Sequence, residues 1–282
     1  MKPLSGRVAV VTGASRGAGR GIALVLGDAG ATVYLTGRSV RGAQTSELAG
    51  TTLEDTAELM AARGGAGVPV RTDHTDDGAV AALFGKIKRA QGRLDLLVNN
   101  AWGGYEDYTH RGGDSSFDAP FWEQPVARFD KMFAAGVRSH LVTTQAALPL
   151  MVAQNSGLVV TTTLEMDPAF YDAALYYRTA KLAINYLTFG MAHDLRARGG
   201  FDVAVVGVAP GWMRTEDVME SFRKGLHEEA QLEETESTEY VGRAVLALAT
   251  DPDMMNKSGK TLRTRDLARE YGFTDIDGKQ PH

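Results

Sequence analysis

The sequence has 282 residues and no cysteine. That excludes disulfides, zinc thiolate sites and thiol nucleophiles together. No apolar run approaches the roughly eighteen residues of a bilayer-spanning helix, and the N-terminus lacks a charged head followed by a leader-length apolar stretch. A cytoplasmic chain with no membrane partner is the expectation. Long basic runs are also missing and the formal net charge is −5, which argues against nucleic acid as a partner. No His/Asp/Glu cluster stands at ligand spacing, so no catalytic metal is expected. What is present is ordinary for a soluble enzyme: 44% apolar and 23% charged residues. The 32 glycines exceed the usual share and fit a chain with many strand-to-helix turns.

Residues Arg7 to Ala23, RVAVVTGASRGAGRGIA, carry the strongest local signal. Val8 to Val11 are too apolar on both faces for a surface strand and predict one buried in a parallel sheet. Thr12 and Gly13 end it. Ser15, Arg16, Gly17, Ala18 and Gly19 then form a turn before a helical pattern begins at Ile22. Such a turn lets the backbone approach a pyrophosphate, with free N–H groups at the helix N-terminus. The competing reading, an ordinary tight turn, is weakened because both flanking elements are in place. The second strand spans Ala31–Arg38. Where a dinucleotide fold carries an acid for the ribose 2′-hydroxyl, this chain has Gly37, then Arg38 and Ser39, with Arg16 close by. Two guanidiniums and no acid favour a 2′-phosphate, hence NADP, over the alternative of solvated surface arginines. Residues 40–50 predict a mobile loop, with Arg41 a candidate third contact.

Strand and helix patterns alternate to the end of the chain. They place helices at Leu53–Arg63, Asp77–Gln91, Val126–Gln154, Ala173–Arg198 and 238–250. Strands are expected at Val68–Thr72, through RLDLLVNNA to Asn99-Asn100-Ala101, at Leu158–Thr163, Val203–Val208 and Thr261–Arg263. Residues 102–125 form an aromatic, glycine-rich excursion, and 212–236 an acidic amphipathic lid candidate. The expected fold is α/β: one doubly wound parallel sheet (a Rossmann fold) in three αβα layers, with residues 1–282 as a single domain and no internal repeat.

Tyr177 and Lys181 stand four residues apart in a helical pattern and share a face. An ammonium beside a phenol lowers the phenol's pKa, so Tyr177 is the candidate acid/base for a carbonyl or alcohol. Alone, Tyr-x-x-x-Lys is frequent on exposed helix faces. Here it follows a buried strand and a glycine turn.

Taken together, Thr-Gly-x-x-x-Gly-x-Gly from Thr12, Asn99-Asn100-Ala101, Tyr177-x-x-x-Lys181 and Pro210-Gly211-x-x-x-Thr215 resemble the short-chain dehydrogenase/reductases in their compact single-domain branch. The resemblance spans roughly residues 5–270. It implies that Asp73 accepts from the adenine amino group, with His74 beside it a further cofactor candidate, although Asp73 also reads as a neighbour of a helix N-cap. Asn100 and Ala101 would lie beside the cofactor, and Lys181 would hold the nicotinamide ribose. Pro210, Gly211 and Met213 would turn over the nicotinamide, with Thr215 capping its carboxamide. The resemblance also implies a homotetramer or homodimer. Apolar residues on more than one face of the helices that carry Leu141, Leu148, Leu182, Leu187 and Phe189 are in keeping with it. Three positions depart from the family pattern. Trp102 replaces the glycine after Asn-Asn-Ala. Gly136 stands where an asparagine holds a relay water. Leu164 stands where a serine bonds the substrate carbonyl, leaving Thr163 as the candidate replacement and Glu165, if protonated, as another. The tail GKTLRTRDLAREYGFTDIDGKQP and the FWEQP segment point to one subgroup of the family.

The expected function is hydride transfer between NADP(H) and a small carbonyl or alcohol. The aromatic residues Trp102, Tyr105, Tyr108, Phe117, Phe121, Trp122, Trp212 and Phe222, with Met213 and Met219, make that substrate apolar. The alternative is a cofactor-binding homologue whose catalysis is lost or altered.

Overall fold

In the computed structural model every residue of the first strand, β1 (Val8–Thr12), is buried. Residues 1–45, 48–105, 116–167, 171 and 173–281 are described. Side chains alternate across a strand, so Ala9 and Val11 join one apolar cluster and Val8 and Val10 the other. The first cluster holds Ile22 and Leu26 of α1 (Gly17–Asp28) and Val241 and Val245 of α8 (Thr238–Thr250). The second holds Phe84 and Ile87 of α3 (Asp77–Gln91) and Met151 of α5 (Ser139–Ala153). These are the three layers that the apolar run implies.

The remaining strands are β2 (Thr32–Gly37), β3 (Ala66–Arg71), β4 (Leu96–Asn99), β5 (Gly157–Thr162), β6 (Val203–Ala209) and β7 (Thr261–Arg263). All pairings are parallel, in the order β3-β2-β1-β4-β5-β6-β7. The order reverses between β1 and β4, registered Ala9 to Leu96, which opens a crevice at the strands' carboxyl ends. β3 begins two residues before its expected start and is half-exposed, as an edge strand carrying Pro69 can be. α2 (Leu53–Ala62) starts in a capping box between Thr52 and Asp55, and Asp76 caps α3 by accepting from Gly78 and Ala79.

Two boundaries differ from expectation in ways that shape the site. The helix expected as one piece over 126–154 is α4 (Val126–Met132), a π turn (Phe133–Arg138) and α5. β5 closes at Thr162 and leaves Thr163 beyond the ladder. α6 (Leu175–Asp194) carries the Tyr-Lys pair and runs into a second π turn, Leu195–Gly199. The lid candidate is α7 (Glu216–Arg223) followed by a short 3-10 turn (Glu229–Glu234). α9 (Thr264–Tyr271) leads into a tail whose Asp275, 1% exposed, holds the far end of the lid. Asp275 accepts from Ser237 N at 2.7 Å and pairs with Arg214 at 3.2 Å. No helix among the described residues is long and apolar enough to cross a membrane.

Candidate active site

The crevice is closed at its base by a clip between β1 and β4. The Thr12 hydroxyl accepts from the backbone N–H groups of Asn100 and Ala101, both at 2.8 Å. The Asn100 amide donates back to Thr12 O at 3.0 Å and Gly13 O at 3.3 Å. Asn99 turns the other way, into the core, donating to the Thr144 hydroxyl at 2.8 Å. The glycine turn rests on this clip. A Cβ on Gly19 would overlap the Gly13 carbonyl oxygen, so only glycine lets α1 start this close to β1. α1 has no side-chain cap, which leaves its first N–H groups for an anion.

A carboxylate stands in that position. Glu216, at the start of α7, accepts from Gly17 N at 2.7 Å and pairs with Arg20 at 3.1 Å. Its neighbour Asp217 pairs with Arg16 at 3.1 Å. The turn is thus built to receive negative charge, which is the fit a dinucleotide pyrophosphate requires. Thr215 lies against Gly17 and caps α7 by accepting from Val218 N at 3.2 Å. Met213 bridges to Glu236, whose carboxylate lies against Gly211.

Tyr177 and Lys181 sit one turn apart on α6, at the carboxyl end of β5, inside a box of aromatic rings. Ring centroids of Trp102, Phe117 and Tyr105 lie 5.5, 6.0 and 6.3 Å from that of Tyr177. The Lys181 ammonium lies 4.2 Å from the Trp102 centroid and donates to Thr162 O at 3.3 Å. Burial lowers the Lys181 pKa to about 7. The expectation that Lys181 lowers the Tyr177 pKa is corrected: burial raises it, and the hydrogen bond from Tyr105 offsets part of that rise. In so dry a box, loss of hydration outweighs the pull of the Arg178 charge.

The departures at Trp102 and Gly136 belong together. Gly136 lies in the π turn, and a Cβ there would fall 2.5 and 2.6 Å from carbons of the Trp102 indole. The indole therefore fills the space beside Lys181 that a longer side chain at 136 would claim. Its Nε1 is buried without a hydrogen-bond partner among the described residues.

Several expected site residues are engaged elsewhere. The Thr163 hydroxyl donates to Asn185 Oδ1 at 2.6 Å and lies 3.2 Å from Lys181 O, because β5 has ended and the side chain faces α6. It is not the replacement for the serine. Glu165, the other candidate, is paired with Arg263. His74 is enclosed in the core between the hydroxyls of Thr36 at 2.8 Å and Thr143 at 3.2 Å, which occupy both ring nitrogens. Asp73 accepts from Thr75 N and Oγ1 at 2.9 and 2.7 Å in a local turn. Ser39 is buried and donates to Thr51 O at 2.9 Å, which withdraws its hydroxyl from a phosphate. Arg41 is taken by Asp55 and Glu58. Arg38 remains exposed at the end of β2. Tyr108 and the middle of the 102–125 excursion fall outside the described residues. Sequence reasoning missed the lid carboxylates Glu216 and Asp217, although their place right after Thr215 was a usable signal.

The family model for short chain dehydrogenases matches residues 7–225. The chain belongs to the short-chain dehydrogenase family. It is 40% identical over 288 aligned residues to mouse Dehydrogenase/reductase SDR family member 1, covering 98% of this chain and 85% of that protein. Identity to the human protein of the same name is 38%, with the same coverages. This is the subgroup to which the tail and the FWEQP segment point. Among solved structures, a metagenomic short-chain oxidoreductase in complex with NADP superposes with a TM-score of 0.69 at 29% identity, over 93% of this chain and 98% of that one.

Proposed function

We propose that the protein is an NADP(H)-dependent carbonyl reductase or alcohol dehydrogenase acting on a small, largely apolar substrate. The observation that carries this reading is the Tyr177–Lys181 pair, dry and ring-lined, at the strand ends beside a glycine turn that already holds a carboxylate. Gly13, Ser15, Arg16, Gly17, Ala18 and Gly19 would hold the pyrophosphate side of the cofactor. Asn100, Ala101, Lys181 and the Pro210–Thr215 turn would hold its nicotinamide side. The bound nicotinamide supplies or accepts the hydride. Tyr177 gives a proton to the carbonyl oxygen in reduction and removes it from the alcohol in oxidation. Lys181 holds positive charge next to the phenol when protonated, and its low pKa makes that charge sensitive to what binds beside it. The aromatic box excludes water and favours apolar substrates. Gly37 and the exposed Arg38, together with the NADP held by the metagenomic relative, favour the phosphorylated cofactor.

The exposed Tyr186 and Phe189 on α6 support a homodimer or homotetramer built on that face, which sedimentation at micromolar concentration checks against a monomer. The functional reading is tested with a panel of ketones, aldehydes and quinones. The wild type oxidises NADPH with at least part of the panel, and Tyr177→Phe abolishes turnover while NADPH binding stays nearly intact. If the wild type binds NADPH but turns over nothing, the altered-catalysis alternative replaces this one.

A further inference from the structure

The turn from Pro210 to Thr215, set over the nicotinamide by the reading above, leans on a segment later in the chain. Arg214 N donates to Glu236 O at 2.8 Å and Glu236 N to Trp212 O at 2.9 Å, a short parallel pairing. The Arg214 guanidinium donates to Thr235 O at 2.7 Å. Thr235, Glu236 and Ser237 are all buried, and Ser237 caps α8 by accepting from Tyr240 N at 3.2 Å. The next residue, Thr238, is pressed onto the helix of the glycine turn: a Cβ on Gly21 would fall 2.0 Å from Thr238 O. α8 is therefore seated backbone to backbone on α1. A carboxylate from the tail joins these pieces. Asp275 accepts from the backbone N–H of Ser237 at 2.7 Å, from the Ser237 hydroxyl and from the Arg214 guanidinium at 3.2 Å. Ser237 belongs to α8, whereas Arg214 belongs to the turn.

We propose that Asp275 is a positioning residue for the nicotinamide: through Arg214 it ties the Pro210–Thr215 turn to the start of α8, so that the tail of the chain governs how the cofactor's reactive end is held. The assignment rests on the NADP(H) reading above. Asp275 itself touches neither cofactor nor substrate and moves no proton. Its part is geometric. A buried carboxylate–guanidinium pair is costly to break, because each partner is left with charge that water reaches poorly. Thr215, the residue after Arg214, lies against Gly17, so the same tie steadies the contact between the turn and the pyrophosphate side. A misplacement of about 1 Å at a reacting group costs about a hundredfold in rate, so a turn released from the tail is felt in hydride transfer as well as in binding.

The test is Asp275→Asn, which keeps the shape and withdraws the charge from Arg214. The tail stays attached through Arg243 of α8, which donates to Thr274 O at 2.6 Å and to Asp275 O at 3.2 Å. Two ligands are compared on wild type and variant: NADPH, and 2′-phospho-ADP-ribose, which lacks the nicotinamide ring. The variant's affinity for NADPH falls about tenfold or more, while its affinity for the fragment stays within about twofold of wild type. A change that merely loosened the fold would weaken both ligands alike. Arg214→Gln breaks the same bond from its other side and gives the same split. It also decides the matter should Asp275→Asn fail to fold. The double variant loses little more than either single one, because the bond is broken only once. Equal losses for the two ligands, or NADPH affinity within about twofold of wild type, overturn the assignment and leave Asp275 a part of the fold alone. A wild type that binds neither ligand overturns the NADP(H) reading, and this assignment with it.

Discussion

Glu216 sits where the proposed cofactor's pyrophosphate would bind, and its removal makes a quantitative test of the glycine turn. The carboxylate accepts from Gly17 N at 2.7 Å and from Arg20 at 3.1 Å, on a side chain about 29% exposed. A charge-assisted hydrogen bond contributes about 1.5–3 kcal/mol, less where water reaches it. Arg20 also donates to the carbonyls of Ser15 and Gly50, so it loses little when Glu216 leaves. A glutamine at 216 has the same length and its carbonyl still accepts from Gly17, so the change removes charge rather than shape. That leaves a bias toward the closed lid of about 1–2 kcal/mol, or roughly 5- to 30-fold in apparent affinity. Glu216→Gln is therefore expected to bind NADPH more tightly than wild type by about that factor, measured by nucleotide fluorescence. The advantage should shrink as salt rises, since screening weakens the attraction between the exposed charges. Equal or weaker binding by the variant would refute the reasoning. Glu216 would then be holding Arg20 in place for the phosphate instead of competing with it.

Two further predictions use charge elsewhere in the crevice. Glu236 is buried under the Gly211 turn, with one carboxylate oxygen unbonded, and burial raises its pKa to about 7 against pressure from Arg214 to lower it. A carboxyl raised in the folded state stabilises the protonated form, so stability falls as pH climbs from about 4.5 through 7, by about 3 kcal/mol in all. Glu236→Gln should thus gain in thermal midpoint over wild type at pH 8 and not at pH 5, and a pH-independent difference would rule this out. Arg38→Ala should weaken NADPH binding about tenfold or more and leave NADH binding unchanged. Equal affinity of the wild type for the two cofactors would defeat that expectation.

The layer order, the buried β1 and the Tyr177–Lys181 face were legible in the sequence because each is a local periodic signal. Four apolar residues, a glycine turn and a three-to-four residue spacing suffice. What stayed hidden depends on partners distant in sequence. Ser39, Arg41 and His74 carry groups suited to a phosphate or an adenine. Thr51, Asp55 with Glu58, and the Thr36–Thr143 pair claim them first. The clamp of Asp275 on Ser237 and Arg214 joins the tail to the lid across about forty and sixty residues and leaves no pattern in either segment. Thr163 reads from the sequence as the last residue of the strand and the serine's replacement, but its hydroxyl turns to Asn185. A strand that ends at Thr162 frees the next side chain to turn toward α6, and periodicity does not mark the end of a ladder to a single position.

Trp102 and Gly136 read separately from the sequence as two losses: a bulky ring where glycine is usual in the family, and no side chain where an amide is usual. The structure makes them one exchange. The π turn at Phe133–Arg138 inserts a residue into the helix, and Gly136 within it offers a socket into which the indole fits at distances no Cβ would allow. A mid-helix glycine costs roughly 1 kcal/mol against alanine, and the burial of a large aromatic ring more than offsets that. The exchange also changes the surroundings of Lys181. Its ammonium faces a ring at 4.2 Å, and its oxygen partner is the Thr162 carbonyl. A cation held against a π face keeps its direction and loses hydration, in accord with the fall of the Lys181 pKa to about 7. The box around Tyr177 is therefore drier than one built around an amide at 136. In such a box a phenol has few partners to stabilise its charge, in accord with the rise that burial imposes on the Tyr177 pKa.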